Sequence, residues 1–311
     1  MEFFKKQTSF PFMATRKWWY GLSVLLMIAS GVSFATRGLN LAIDFTGGVN
    51  ATATFTQTAN VDAVRSGLTA AGFKDPQVQN FGSSRDIVIR LPPEGSQNAT
   101  TIRAKLEGIL RAVDPSAQVQ QLDVVGPQVG NELRTSAAQA LGSTLVLIFL
   151  YIAARFHTWR LSLGAILAVM HDPILVLGIF SVTQTSFDLA VVAAILAVIG
   201  YSLNDTVVVF DRIRERFETN RRLVPALALD QSINQTLSRT IMTKFVTSIV
   251  VVALLFLGGP VLRGFSEALL IGILAGTYSS IYISSAIALD CGLTAEHIFP
   301  TVRKAAADHL P

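Results

Sequence analysis

The residues best placed to do chemistry lie where an apolar chain should have none. The stretch "IGYSLNDTVVVFDRIRER" (199–216) puts Asn204 and Asp205 inside a run that is otherwise apolar from Leu189 to Phe210. A run of about 22 residues can cross a bilayer as a helix. A carboxylate inside it costs on the order of 2.5–3.5 kcal/mol, so it should have a task. At helical spacing Tyr201 and Asp205 share a face, with Ser202 and Thr206 beside it and Arg212 near the same line. Such a polar stripe faces other helices rather than lipid. In a low dielectric the neutral form of a carboxyl gains ground, which suits it to bind and release a proton.

Arg239 is the expected partner of Asp205. It stands at the polar end of the next apolar run, and Asp205 lies about 5 residues, or roughly 8 Å, from the same end of its own. A guanidinium cannot lose its proton, but it can pair with the ionised acid and be released when the acid is protonated. The alternative is that Arg239 is an ordinary anchoring charge. A second polar group, His171 and Asp172, falls in the middle of another run and is followed by Pro173. It reads either as a titrating pair on an ion path or as a hydrogen-bonded packing site. Gly272 and Gly276 form GxxxG, with Ser280 and Ser284 continuing the face, a pattern for close helix packing. Asp44, in "AIDFTGGVN" (42–50), reads as a surface or turn residue, and Gly47 and Gly48 as a tight approach to a strand.

What must position these groups is a membrane bundle. The chain of 311 residues is 51% hydrophobic and only 15% charged, with a mean hydropathy of +0.49, outside the range of ordinary soluble domains. Six spans are expected: Trp18–Thr36, Ala137–Ala153, Leu161–Phe180, Leu189–Phe210, Ile241–Leu257 and Phe265–Leu289. Lys244, near one end of the fifth, is expected to snorkel outward. The first run also has the features of a signal-peptide core, with small Ser33 and Ala35 before a cut. Trp18, Trp19 and Tyr20 favour an anchor with an interfacial aromatic belt.

Basic residues cluster in alternate segments: Lys5, Lys6, Arg16 and Lys17; Arg155 and Arg160; Arg212, Arg214, Arg216, Arg221, Arg222 and Arg239; Arg303 and Lys304. The positive-inside rule then places the tails, 1–17 and 290–311, and the charged link 211–238 in the cytoplasm, and segment 37–136 outside it. That segment reads as strand, helix, strand, strand, helix, strand, a βαββαβ ferredoxin-like unit, with "GSSR" (82–85) as its central hairpin turn. Cys291 is alone, so an intrachain disulfide is excluded. No phosphate loop, zinc motif or hydrolase triad occurs, so no cofactor, metal or enzymatic turnover is expected.

Several of these stretches together resemble one family. They are "DFTGG" after the first span, "HD" in the third, "GYSLNDTVVVFDRIRE" in the fourth, "LSRT" before the fifth and "FLGGPVLRGFSEALLIGILAGTYSSIY" leading into the last. Over residues 12–299 the chain resembles the SecF side of the SecD/SecF family, in the resistance–nodulation–division superfamily. The resemblance implies a bacterial inner-membrane subunit that pairs with SecD. It implies work with the SecYEG channel, the SecA motor and YajC on unfolded secretory chains, driven by the proton gradient. The family's aspartate in "NDT" and arginine in "RT" fall on Asp205 and Arg239. Asn204, Tyr201 and Thr206 would support that face, and His171 and Asp172 match the pattern less closely. Two other readings stay open: a proton-driven small-molecule or metal exporter of the same superfamily, and a passive scaffold.

Overall fold

A computed structural model describes residues 8–93, 98–156 and 158–299. Lys5, Lys6, Arg303 and Lys304, used above for orientation, lie outside these residues.

Among the described residues, six helices are long and apolar enough to cross a membrane. They are α1 (Phe12–Arg37), α5 (Pro127–Phe156), α6 (Trp159–Thr183), α7 (Leu189–Thr219), α8 (Pro225–Leu257) and a last span composed of α9 (Gly259–Tyr278), a π-helical turn (Ser279–Ser284) and α10 (Ser285–Asp290). A short α11 (Ala295–Ile298) follows. Each apolar run expected from the sequence lies inside one of these spans, but the helices are longer than the runs. Most of the link expected at 211–238 is therefore helix: α7 continues to Thr219 and α8 resumes at Pro225. Proline suits that first turn, where its fixed φ fits and its missing N–H loses nothing.

Helices α6, α7 and the last span form the centre, with α1, α5 and α8 outside them. Two apolar clusters fill the bundle. One joins Phe156, Leu161, Phe210, Ile213 and Phe217; the other joins Val176, Phe180, Val191, Ile195 and Ile199. On α7 the buried polar residues Ser202, Asp205 and Thr206 fall between the two, so the bundle carries a polar layer between apolar ends.

Between α1 and α5 the chain forms β1 (Asn40–Leu41), α2 (Ile43–Thr46), β2 (Gly48–Thr54), α3 (Val61–Ala70), β3 (Gln77–Phe81), β4 (Ser83–Leu91), α4 (Ala99–Val113) and β5 (Gln118–Val125). Four of the strands make an antiparallel sheet ordered β3-β4-β2-β5. On β2, Val49, Ala51 and Ala53 face Val64, Leu68, Ile102, Leu106 and Leu110 of the two helices, and this alternation sets the register. Asn60 and Asn98 cap α3 and α4, accepting from Ala63 N and Thr100 N. The expected turn "GSSR" is shorter than its sequence suggests. Gly82 alone, with φ +80, makes the reversal, and 83–85 already belong to β4.

The inserted domain is tied to the bundle at Gly47 and Gly48, whose φ values are +71 and +123. A Cβ on Gly48 would lie 2.4 Å from Leu91 O, and one on Gly130 of α5 would lie 2.9 Å from Gly47 N. Beyond this junction β1 pairs in parallel with β6 (Ser186–Phe187), which precedes α7.

Candidate functional site

The Asp205 side chain is 9% exposed, and Lys244 Nζ sits 2.9 Å from its Oδ2. Among the described residues neither atom has a hydrogen-bond partner beyond that pair. The Tyr201 ring lies 5.7 Å from the ammonium. Its hydroxyl is fixed on α8, donating to Thr243 O at 3.0 Å and meeting Thr247 Oγ1 at 2.8 Å. Thr206 is buried and donates to Ser202 O.

The expected Asp205–Arg239 pair is replaced by Asp205–Lys244. On α8 the inward stripe includes Ile233, Thr236, Leu237, Thr240 and Lys244. Arg239 lies about 100° round from Thr240 and is exposed, acting on Asp205 only as a more distant charge. Lys244 does not snorkel; it is 4% exposed and points inward. Asn204 is exposed, off the buried face that holds Asp205. Arg212 pairs with Gln235 and Glu215 rather than with Asp205.

His171 and Asp172 do enter the core. Asp172 is fully buried, with Ser202 Oγ of α7 donating to its Oδ2 at 2.6 Å and Ser279 Oγ at 2.9 Å. His171 Nδ1 meets Asp172 Oδ1 at 3.1 Å, and its Nε2 meets Ser23 Oγ of α1 at 3.3 Å. Ser23 in turn meets the Tyr278 hydroxyl at 2.6 Å, which donates to Trp19 O. Ser202 lies one turn before Asp205, so the two polar clusters adjoin, and Asp172 follows Asp205 among the charges acting on Lys244.

Gly272 and Gly276 let the last span press onto α7. A Cβ on Gly272 would lie 2.1 Å from Val198 Cγ2, and one on Gly276 would lie 3.1 Å from Ser202 Oγ and 3.2 Å from Asp172 Oδ2. Ser280 and Ser284 are buried but do not simply continue that face. The π-helical turn re-aims them, and Ser284 O lies where a Cβ on Gly164 of α6 would be, at 2.2 Å. The same turn delivers Ser279 to Asp172.

At the far end Asp44 is no loose turn residue, since its Oδ2 accepts from Leu189 N at 3.0 Å and caps α7 together with Asp188. These acids border a cavity of about 270 Å³ between the bundle and the open sheet face, lined also by Asn50, Arg90 and Asp123. Burial raises the Asp188 carboxyl above its usual range, with Asp44 adding to this and N–H donors from Val191 and Ala190 opposing it. Burial lowers Arg90, and Asp188 opposes that.

Sequence alone does not join Lys244, Ser23, Ser202, Tyr278 and Ser279 into one network. A usable signal existed for Lys244: a lysine in an apolar span needs a counter-charge, and few intramembrane acids were available.

A six-span bundle with a buried acid–base pair and an inserted four-stranded domain defines a polytopic membrane protein with a charged interior. The chain belongs to the SecD/SecF family. The model of the SecD/SecF protein export membrane protein C-terminal region matches residues 105–294, and that of the SecD/SecF GG motif matches 32–59. Proteins named protein translocase subunit SecF are similar along nearly their whole length. That of Haemophilus influenzae is 47% identical, with 96% of this chain and 91% of the relative covered. That of Vibrio alginolyticus is 44% identical, with 95% and 94% covered. The solved structure of SecDF from Thermus thermophilus, a translocon-associated membrane protein, aligns with a TM-score of 0.82 at 38% identity, covering 91% of this chain. A SecDF structure in a super-membrane-facing form aligns at 0.68, with 40% identity and 93% of this chain covered. This chain spans 39% of each SecDF chain.

Proposed function

We propose that this chain is a bacterial inner-membrane subunit of the Sec export machinery. With a SecD partner it converts the proton gradient into assistance for late steps of translocation. The observation that carries the coupling reading is the Asp205–Lys244 pair at 2.9 Å in the polar layer of the bundle. A buried pair is a weak source of stability, yet loss of one charge is strongly destabilising. Such a pair suits a switch better than a brace.

Protonation of Asp205 releases the ammonium of Lys244, whose next acid is Asp172. The α7–α8 contact then repacks, and the change reaches the inserted domain through the Asp44 cap on α7. One proton crossing 100 mV supplies about 2.3 kcal/mol, a bias of about fifty-fold on a two-state element. The termini lie in the cytoplasm, and the inserted domain, ferredoxin-like by its strand order, lies outside and meets the emerging chain. SecYEG, SecA and YajC are the further partners of this reading. Against a drug exporter, the helix-covered side of the sheet is filled by the domain's own apolar side chains. The test is complementation. Cells depleted of their own subunit and supplied with this chain and its SecD partner should process secretory precursors at the restored rate. With Asp205→Asn the precursors should accumulate although the complex assembles; unimpaired processing would refute the reading.

A further inference from the structure

We propose that Lys244 is a tethered cation that fills the cation position beside Asp205 and so commits the site to protons rather than sodium. This rests on the coupling role proposed for Asp205. An alkali ion needs the open side of a carboxylate and several further oxygen atoms. Here the ammonium holds Oδ2 at 2.9 Å, and both side chains are enclosed, at 5% and 9% exposure. The Tyr201 ring stands over the ammonium at 5.7 Å, and its hydroxyl is committed to α8. Asp172 is occupied by Ser202, Ser279 and His171. Arg239 faces outward. A second monovalent cation at Asp205 would therefore sit against a like charge in a low dielectric, with few oxygen ligands to replace its water. A proton needs no such space. It adds to the carboxylate at bonding distance and removes the charge that holds the lysine. Lys244→Ser would leave the Asp205 carboxylate, the new serine hydroxyl and the space that the longer lysine side chain fills.

The test uses inverted vesicles carrying the full complex, with either an imposed proton gradient in sodium-free buffer or an imposed sodium gradient with a protonophore present. Export by the wild-type complex should respond to the proton gradient alone, and Lys244→Arg should keep that pattern. Lys244→Ser should gain a sodium response, cutting the proton-over-sodium preference by about tenfold or more. A sodium-dependent rise in the melting temperature of the purified complex should appear in Lys244→Ser and not in wild type. Lys244→Asn, which also removes the ammonium and offers a carbonyl oxygen, stands in if the serine variant fails to assemble. If neither assembles, the wild-type titration decides, since a sodium-dependent rise there overturns the proposal. A wild-type export response to sodium overturns it too, as does an assembled Lys244→Ser that keeps the wild-type preference. Asp205→Asn separates the two claims. If it leaves the gradient response intact, the coupling role of Asp205 fails; if it abolishes the response while Lys244→Ser changes nothing, only the role of the lysine fails.

Discussion

Asp205 of α7 and Lys244 of α8 meet at 2.9 Å inside the bundle, while Arg239, five residues before the lysine, faces outward. The pair ties two helices together where both are least able to reach water. Removal of one partner strands a charge, whereas removal of both strands none. Lys244→Met alone should cost about 3–5 kcal/mol, and the double variant Asp205→Asn/Lys244→Met should recover much of that loss. Denaturant unfolding of the detergent-solubilised protein measures the cycle. Additive losses would show that the two side chains do not interact.

The contact of the last span with α7 has almost no slack at Gly272. Its added Cβ would lie 2.1 Å from Val198 Cγ2, against 3.1 Å from Ser202 Oγ at Gly276. Gly272→Ala should therefore destabilise by about 1–3 kcal/mol, and Gly276→Ala by less. Val198→Ala should restore part of the Gly272→Ala loss by opening room at the same spot. Melting temperatures of the three variants settle the order.

The Asp44 carboxylate reaches across from the inserted segment to hold the first turn of α7. Asp44→Ala should cost about 1 kcal/mol. The loss should show as faster amide exchange at Leu189, with the sheet of the inserted domain unchanged. Exchange unchanged at Leu189 would mean that Asp188 alone suffices as the cap.

The inserted domain should have an acid edge set by Asp86. Ser83 Oγ and Thr54 Oγ1 donate to its carboxylate at 2.6 and 2.7 Å and hold it below the ordinary value of 3.8. A carboxyl lowered in the folded state adds stability above its unfolded value. That contribution is lost as pH falls through the folded one. Protection of the β2–β4 amides should therefore decline below about pH 4, and Asp86→Asn should flatten the decline. An unchanged slope in Asp86→Asn would place the acid edge elsewhere.

Much of this architecture can be read from the residues, because hydropathy and period are local. The six apolar runs each lie in a helix, and the alternation Val49, Ala51, Ala53 sets the face of β2 that the helices cover. Gly47 and Gly48 announce a close approach that the positive φ values bear out. What escapes is rotation about a helix axis. Arg239 and Lys244 are both basic and close in sequence, and only the packing of α8 decides which one faces Asp205. The same holds for Asn204 beside Asp205, where one step along the helix separates an exposed residue from a buried one. Ser279 reaches Asp172 through a π-helical turn that no periodicity shows.

The central claim is that the charge on Asp205 links the gradient to export. It is tested most directly in inverted vesicles that contain Asp205→Asn in an otherwise intact complex, with export of one secretory protein followed with and without an imposed proton gradient. The account predicts that the gradient-dependent part of export disappears while the gradient-independent part and complex assembly persist. Export that keeps its full response to the gradient would contradict it and leave the Asp205–Lys244 pair a structural contact.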